Sequence, residues 1–168
     1  MRLGDGIEQA IHSVLMLHAL QPGGVLPAAA LAEFHGVSQS YLLKHLQALS
    51  GAGVLEAVPG PAGGYRLGRP GAAISLLDIV LAVEGHEPAF RCAEIRQRGP
   101  DPLPGVPRLP CEINAAMLRA ERAWRAELAG VTVADIAREV ATHDADGRVA
   151  ARRCAFLARR ERPPAAAR

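Results

Sequence analysis

Cysteine is scarce in this chain, and Cys92, Cys111 and Cys154 are an odd number with no export signal before them, which makes a disulfide framework a poor explanation. Aromatic residues make up only 4% of the sequence. No run approaches the roughly 18 consecutive apolar residues of a membrane-spanning helix. Met1-Arg2-Leu3-Gly4-Asp5 lacks the basic start and apolar stretch of a secretion signal, so the expected compartment is the cytoplasm, without a membrane partner. Charge is also nearly balanced, with 19 basic and 17 acidic residues for a net +2. Residues 1–74 are neutral, Arg2, Lys44, Arg66 and Arg69 standing against Asp5, Glu8, Glu33 and Glu56. There is no internal repeat, and Gly60 to Gly64 lack the Lys-Ser or Lys-Thr of a phosphate loop, so nucleotide binding has no support.

What is abundant is apolar and small: 49% of residues are hydrophobic, with Ala, Leu, Val and Arg dominant, a composition that suits a helix-rich globular chain. At 168 residues there is room for one core, or for a compact head with an oligomerisation element.

Apolar residues recur at helical spacing from Asp5 to Leu20 and stop at Pro22-Gly23-Gly24, giving a first helix. Ala28 to His35 reads as a short second helix after Pro27, ended by Gly36. Ser38 is an N-cap candidate for a third, running through Tyr41, Leu42, Leu46 and Leu49 to Gly51 and Gly53. A short helix, a glycine-containing turn and a capped helix form the helix-turn-helix pattern. Val54 to Val58 alternates as a strand, Pro59 to Gly64 turns, and Tyr65-Arg66-Leu67 returns, which makes the hairpin a wing. Ile74 to Val83 is a fourth helix ended by Glu84-Gly85, and residues 85–110 are a long loop rich in Pro and Gly.

From Glu112 to Leu128 a stripe of Ile113, Ala116, Met117, Ala120, Trp124 and Leu128 marks the longest helix and a dimerisation candidate, with Trp124 as a dimer-core anchor. Gly130 breaks it, and Thr132 caps a last helix through Val140. The folded part is expected to end near residue 142. Beyond it seven arginines face three acidic residues, a composition read as a basic, disordered tail able to add nonspecific DNA affinity. The fold class is therefore mainly α: a winged helix-turn-helix domain over 1–74, a cysteine-loop and dimerisation region over 75–142 with a long C-terminal dimerisation helix, and a tail over 143–168.

The start of the second helix of such a motif enters the major groove, so Ser38, Gln39, Ser40 and Tyr41 are the candidates for base or phosphate contact, with Lys44 one turn on. In the wing, Gly63 and Gly64 permit a tight hairpin beside DNA, and Arg66 and Arg69 flank it as phosphate or minor-groove groups. Ser38-Gln39-Ser40-Tyr41-Leu42, then Gly60 and Gly63-Gly64-Tyr65-Arg66-Leu67, then Asp78-Ile79-Val80 and Val83-Glu84-Gly85, together resemble the IscR/NsrR family of bacterial transcription regulators, over about residues 1–140. The resemblance implies a homodimer, its long helices packed together and both recognition helices presented to a roughly palindromic promoter site in double-stranded DNA.

Many members of that family hold an iron-sulfur cluster on three closely spaced cysteines in the loop that here spans residues 86–111. This chain departs from the pattern, because only Cys92 and Cys111 lie there, with 18 residues between them, and Cys154 sits in the tail. Glu8 and His12 are four apart on the first helix and share a face. In the family the first helix of one subunit approaches the cysteine loop of the other, so Glu8, His12, Cys92 and Cys111 resemble the mixed ligand set of the redox-sensing RsrR branch, expected to hold a 2Fe-2S cluster across the dimer. His18, His35, His45, His86 and His143 share no metal-ligand spacing and read as structural or solvent-facing.

The leading expectation is a redox-sensing, cluster-controlled regulator, a repressor rather than an enzyme. The other readings are a nitric oxide or iron-sulfur status sensor of the same family, and a cofactor-free winged-helix module binding DNA or protein. A cysteine enzyme using Cys92 or Cys111 with His12 lacks an acid-base constellation.

Overall fold

The computed structural model describes residues 4–100 and 111–163. Part of the expected loop (101–110), the end of the expected tail (164–168) and residues 1–3 lie outside the described residues.

Among the described residues, seven α-helices and one small sheet follow in the order α1 (Asp5–His18), α2 (Ala28–His35), α3 (Gln39–Gly51), β1 (Leu55–Val58), β2 (Gly64–Leu67), α4 (Leu76–Glu84), α5 (Glu112–Gly130), α6 (Val133–His143) and α7 (Arg148–Arg160). The mainly α, winged-helix class expected from the sequence is the architecture found. Periodic leucines explain the head. Val14 and Leu17 of α1, Leu31 of α2, and Leu42, Leu46 and Leu49 of α3 interlock with Leu26, Val54, Ile74 and Ile79 in one core. Burying each side chain of this size contributes about 1.5–3 kcal/mol.

Local chemistry sets the boundaries. Gly36 ends α2 with φ +67°, a left-handed conformation in which any Cβ is strained. The strands pair antiparallel with Leu55 opposite Leu67 and Glu56 opposite Arg66. Leu26 adds a bridge to Tyr65, so the chain before α2 lies along the hairpin.

The fourth helix starts at Leu76 rather than Ile74 because Ser75 caps it in a reciprocal box with Asp78. Thr132 caps α6 in the same way with Asp135, as expected. The two caps lie side by side, joined by an antiparallel bridge between Ser75 and Thr132. Ser38 precedes α3 in an extended conformation but its side chain makes no capping bond, its hydroxyl instead lying 3.0 Å from that of Ser40.

The disordered tail is the main correction. After a turn at Gly147, Arg148–Arg160 is helix α7, and Phe156 and Leu157 are buried in the core. Beyond it Arg162 exchanges both backbone hydrogen bonds with Val25 at 2.9 and 3.0 Å. Its guanidinium donates to the carbonyls of Pro61 and Gly63 in the wing turn, both at 2.8 Å. Alanine and arginine are strong helix formers, and two large apolar side chains suffice to dock the helix although the segment as a whole is rich in charge.

Candidate functional site

The exposed surface of α3 carries the candidate DNA-reading residues. Gln39, Ser40, Tyr41 and Lys44 are exposed while Leu42, Leu46 and Leu49 are buried beneath them, as one amphipathic helix requires. Lys44 makes no ion pair among the described residues. Gln47, one turn beyond Lys44 and also exposed, extends the same surface and was not among the expected contacts. Tyr41 packs edge-on against His45 at 4.8 Å between centroids, which fixes the ring direction.

The wing arginines are already engaged. Arg66 forms a bidentate pair with Glu56 directly across the hairpin, at 2.7 and 3.0 Å, holding the Glu56 carboxyl below its usual range. Arg69 lies 3.3 Å from Asp78 in the cap of α4. A phosphate would have to share these guanidinium groups with a carboxylate, which leaves Lys44 as the uncompensated cation among the expected contacts.

Gly63 and Gly64 serve the chain before they serve DNA. A Cβ on Gly63 would stand 2.1 Å from the carbonyl oxygen of Val58, and one on Gly64 2.6 Å from that of Leu26. Both obstacles are backbone. Gly63→Ala should therefore destabilise the protein by about 2–4 kcal/mol, read by thermal unfolding; an unchanged midpoint would show that the wing turn relaxes freely.

On α1, Glu8 and His12 are exposed on one helix face, with no ion pair among the described residues. The loop after α4 is clamped to α5 by one ion pair: Glu121 accepts from the Ala89 amide at 2.8 Å, and Arg125 donates to the carbonyls of His86 and Glu87 while pairing with Glu121 at 2.7 Å. Phe90 from this loop shares a shallow hollow with Met117 and Trp124. Cys92 follows, exposed, and Cys111 is half-buried at the N-cap of α5. Among the described residues no three His, Cys, Asp or Glu side chains gather as a metal site within the chain. The four expected ligands are thus not brought together by one subunit.

The other histidines are mostly structural, as expected. His18 packs on Gly71 and His45 on Gly6, where a Cβ would collide with either ring. His35 is different: its ring lies 5.7 Å from that of His12, an approach between α1 and α2 that no sequence spacing could disclose. Burial, then the neighbouring His12 and Arg152, lowers its pKa to about 4. Between pH 6.5 and 4 the unfolded chain takes up a proton at this position that the folded chain refuses, so folding stability should fall as pH drops through that window. His35→Gln should flatten that part of the stability curve measured by urea unfolding; an unaltered slope would assign it to other groups.

Residues 3–139 match the Rrf2 family, described as "Iron-dependent Transcriptional regulator". YffB of Lactococcus lactis, described as an HTH-type transcriptional regulator, is 32% identical over 139 residues, 83% of this chain and 88% of its own length. Among solved structures, IscR of T. potens superposes with a TM-score of 0.62 at 19% identity, covering 83% of this chain and 88% of that one. CymR of B. subtilis, titled its global cysteine regulator, gives 0.65 at 20%, covering 83% and 98%. No described helix is long and apolar enough to cross a membrane. A recognition helix with an exposed polar face, a glycine wing and a match across the greater part of the sequence agree, and the chain belongs to the Rrf2 family of DNA-binding transcriptional regulators.

Proposed function

We propose that this regulator works as a homodimer whose promoter binding is controlled by a 2Fe-2S cluster held between subunits, by Glu8 and His12 of one chain and Cys92 and Cys111 of the other. The observation that carries this reading is the arrangement of donors: Glu8 and His12 stand exposed on one face of α1, while Cys92 is exposed on a clamped loop and Cys111 heads α5. Each pair is incomplete alone, and an iron-sulfur centre of this size takes four protein donors. The donor chemistry fits, since two thiolates, an imidazole and a carboxylate are all ligands for iron.

Bound there, the cluster would supply a one-electron redox couple. The chain's own contribution is geometric. Glu121 and Arg125 fix the start of the cysteine loop to α5, the helix that carries Cys111, and α1 packs against α3 and α4 in the DNA-binding head. A change in donor geometry at Glu8 and His12 therefore bears directly on the helix that supports the recognition helix. The family description as iron-dependent supports the same reading.

Anaerobically purified protein should be coloured and contain about two irons and two sulfides per chain. Cys92→Ala or Cys111→Ala should bleach it, and His12→Ala or Glu8→Ala should shift its visible spectrum or potential. Iron-free protein that retains full promoter affinity would reject the cluster and leave a cofactor-free winged helix.

A further inference from the structure

A cavity of about 610 Å³ opens between α1, α2, α6 and α7. Leu15, Met16, Phe34 and Val140 are among its apolar walls, and Arg148, Arg152 and Arg153 of α7 also line it. Its volume falls within the range of small-molecule sites. No carboxylate is among its lining residues, which contribute three guanidinium and two imidazole groups. Such a lining selects for negative charge.

The arginines differ in how far the protein satisfies them. Arg148 pairs with Asp146 at 3.0 Å. Arg152 has no ion pair among the described residues; it reaches the Phe34 carbonyl at 3.4 Å and lies over the Phe34 ring at 4.7 Å. The Nε of Arg153 is buried without a hydrogen-bond partner among the described residues. Asp144 accepts from the amides of Ala150 and Val149 at 2.8 and 3.0 Å, which hold its carboxyl below the usual range with help from the nearby Arg153 guanidinium. A buried donor left without an acceptor is costly and uncommon in a folded protein. Two guanidinium groups lining one cavity with spare donors, beside an apolar floor, describe an acceptor-bearing ligand with a hydrophobic body.

We propose that this cavity binds an organic carboxylate with an apolar body, its carboxylate held by Arg152 and Arg153 and its body lying against Phe34, Leu15 and Val140. Helix α7 lies beyond the residues matched to the family, while α1 and α2 lie within them. The ligand would touch α2, the first helix of the helix-turn-helix, and so tie α7 to the reading head. The inference does not depend on the cluster: His12, proposed above as a cluster ligand, also borders this cavity, but the anion is assigned to the arginines of α7.

Isothermal titration of the full-length protein with octanoate, benzoate and inorganic phosphate tests it. Octanoate or benzoate should bind, with phosphate at least about tenfold weaker for want of apolar contact. The double variant Arg152→Gln with Arg153→Gln should weaken carboxylate binding by at least about tenfold, the loss expected for charge-assisted hydrogen bonds. Val149→Trp, which fills the cavity while leaving the arginines in place, should abolish it. Helical circular dichroism should be unchanged in both variants, so that lost binding is not lost folding. The proposal is overturned if neither carboxylate binds, if both variants bind them like the parent, or if phosphate binds as tightly as the carboxylates.

Discussion

Leu157→Ala should lower the unfolding free energy by about 2–5 kcal/mol, and the thermal midpoint by about 5–15 °C, an effect unexpected for a residue in a terminal arginine-rich stretch. The side chain is only 6% exposed, next to Phe156 at 8%, in a core cluster shared with the three helices of the reading head. Truncation there removes both transfer energy and contacts that a remaining cavity cannot recover. Phe156 packs on Phe34 at 4.9 Å between ring centroids, so Phe156→Ala should approach the same cost. Ending the chain after Asp144 should do more. It deletes the whole helix, the Val25 to Arg162 bridge, the Glu161 carboxylate that accepts from the Gln21 amide at 2.8 Å, and the guanidinium that holds the Pro61 and Gly63 carbonyls. Those losses fall on the turn between α1 and α2 and on the wing, so promoter affinity should drop along with stability. Urea unfolding and a gel-shift titration of the two proteins measure both. A truncated chain as stable as the parent, or Leu157→Ala within about 0.5 kcal/mol of it, would return this segment to the status of a tail.

Helix α7 is hard to find in the sequence for a physical reason. Helices α1 to α6 each carry apolar residues at three- and four-residue spacing, bounded by glycine, proline or a capping residue, and those signals locate them within about two residues. In α7 the stripe is thinned to Val149, Phe156 and Leu157, with Arg153 where an apolar residue would complete it. Charge density then dominates any judgement based on composition. The site divides along the same line. The exposed face of α3 and the shared face of Glu8 and His12 are local properties of single helices, legible from spacing alone. The pairing of Arg66 with Glu56 needed the hairpin register, and the meeting of His12 with His35 needed the packing of α1 on α2. The cavity at α7 draws on four elements from both ends of the chain, and no pattern within any one of them announces it.

Ile113→Asp combined with Met117→Asp should convert the proposed dimer to a monomer in light scattering and weaken binding to a palindromic promoter site by about 10² or more, through loss of the second half-site's effective concentration. The basis is the state of α5. Nineteen residues long, and so about 28 Å from end to end, it contains no buried residue within the subunit. Ile113 is 65% and Met117 43% exposed, one helical turn apart on the same face. Further along, in its C-terminal half, α5 is held by the Glu121 and Arg125 clamp and by contact with α4, so its direction is fixed before any partner arrives. A rigid amphipathic helix with its apolar stripe facing solvent is unfavourable alone and favourable against its own copy, because a two-fold axis brings each stripe onto the other. Aspartate at both positions would place four carboxylates in that seam, where desolvation and mutual repulsion oppose association. The substitutions sit at exposed positions, so the monomer should keep its helical content. Helix α5 also begins at Cys111, and the proposed cluster draws its donors from two chains, so the monomeric variant should in addition purify without iron. A variant that remains dimeric and loaded would move the dimer interface off α5. A monomer that still holds iron would place all four donors in one chain, against their separation within the subunit.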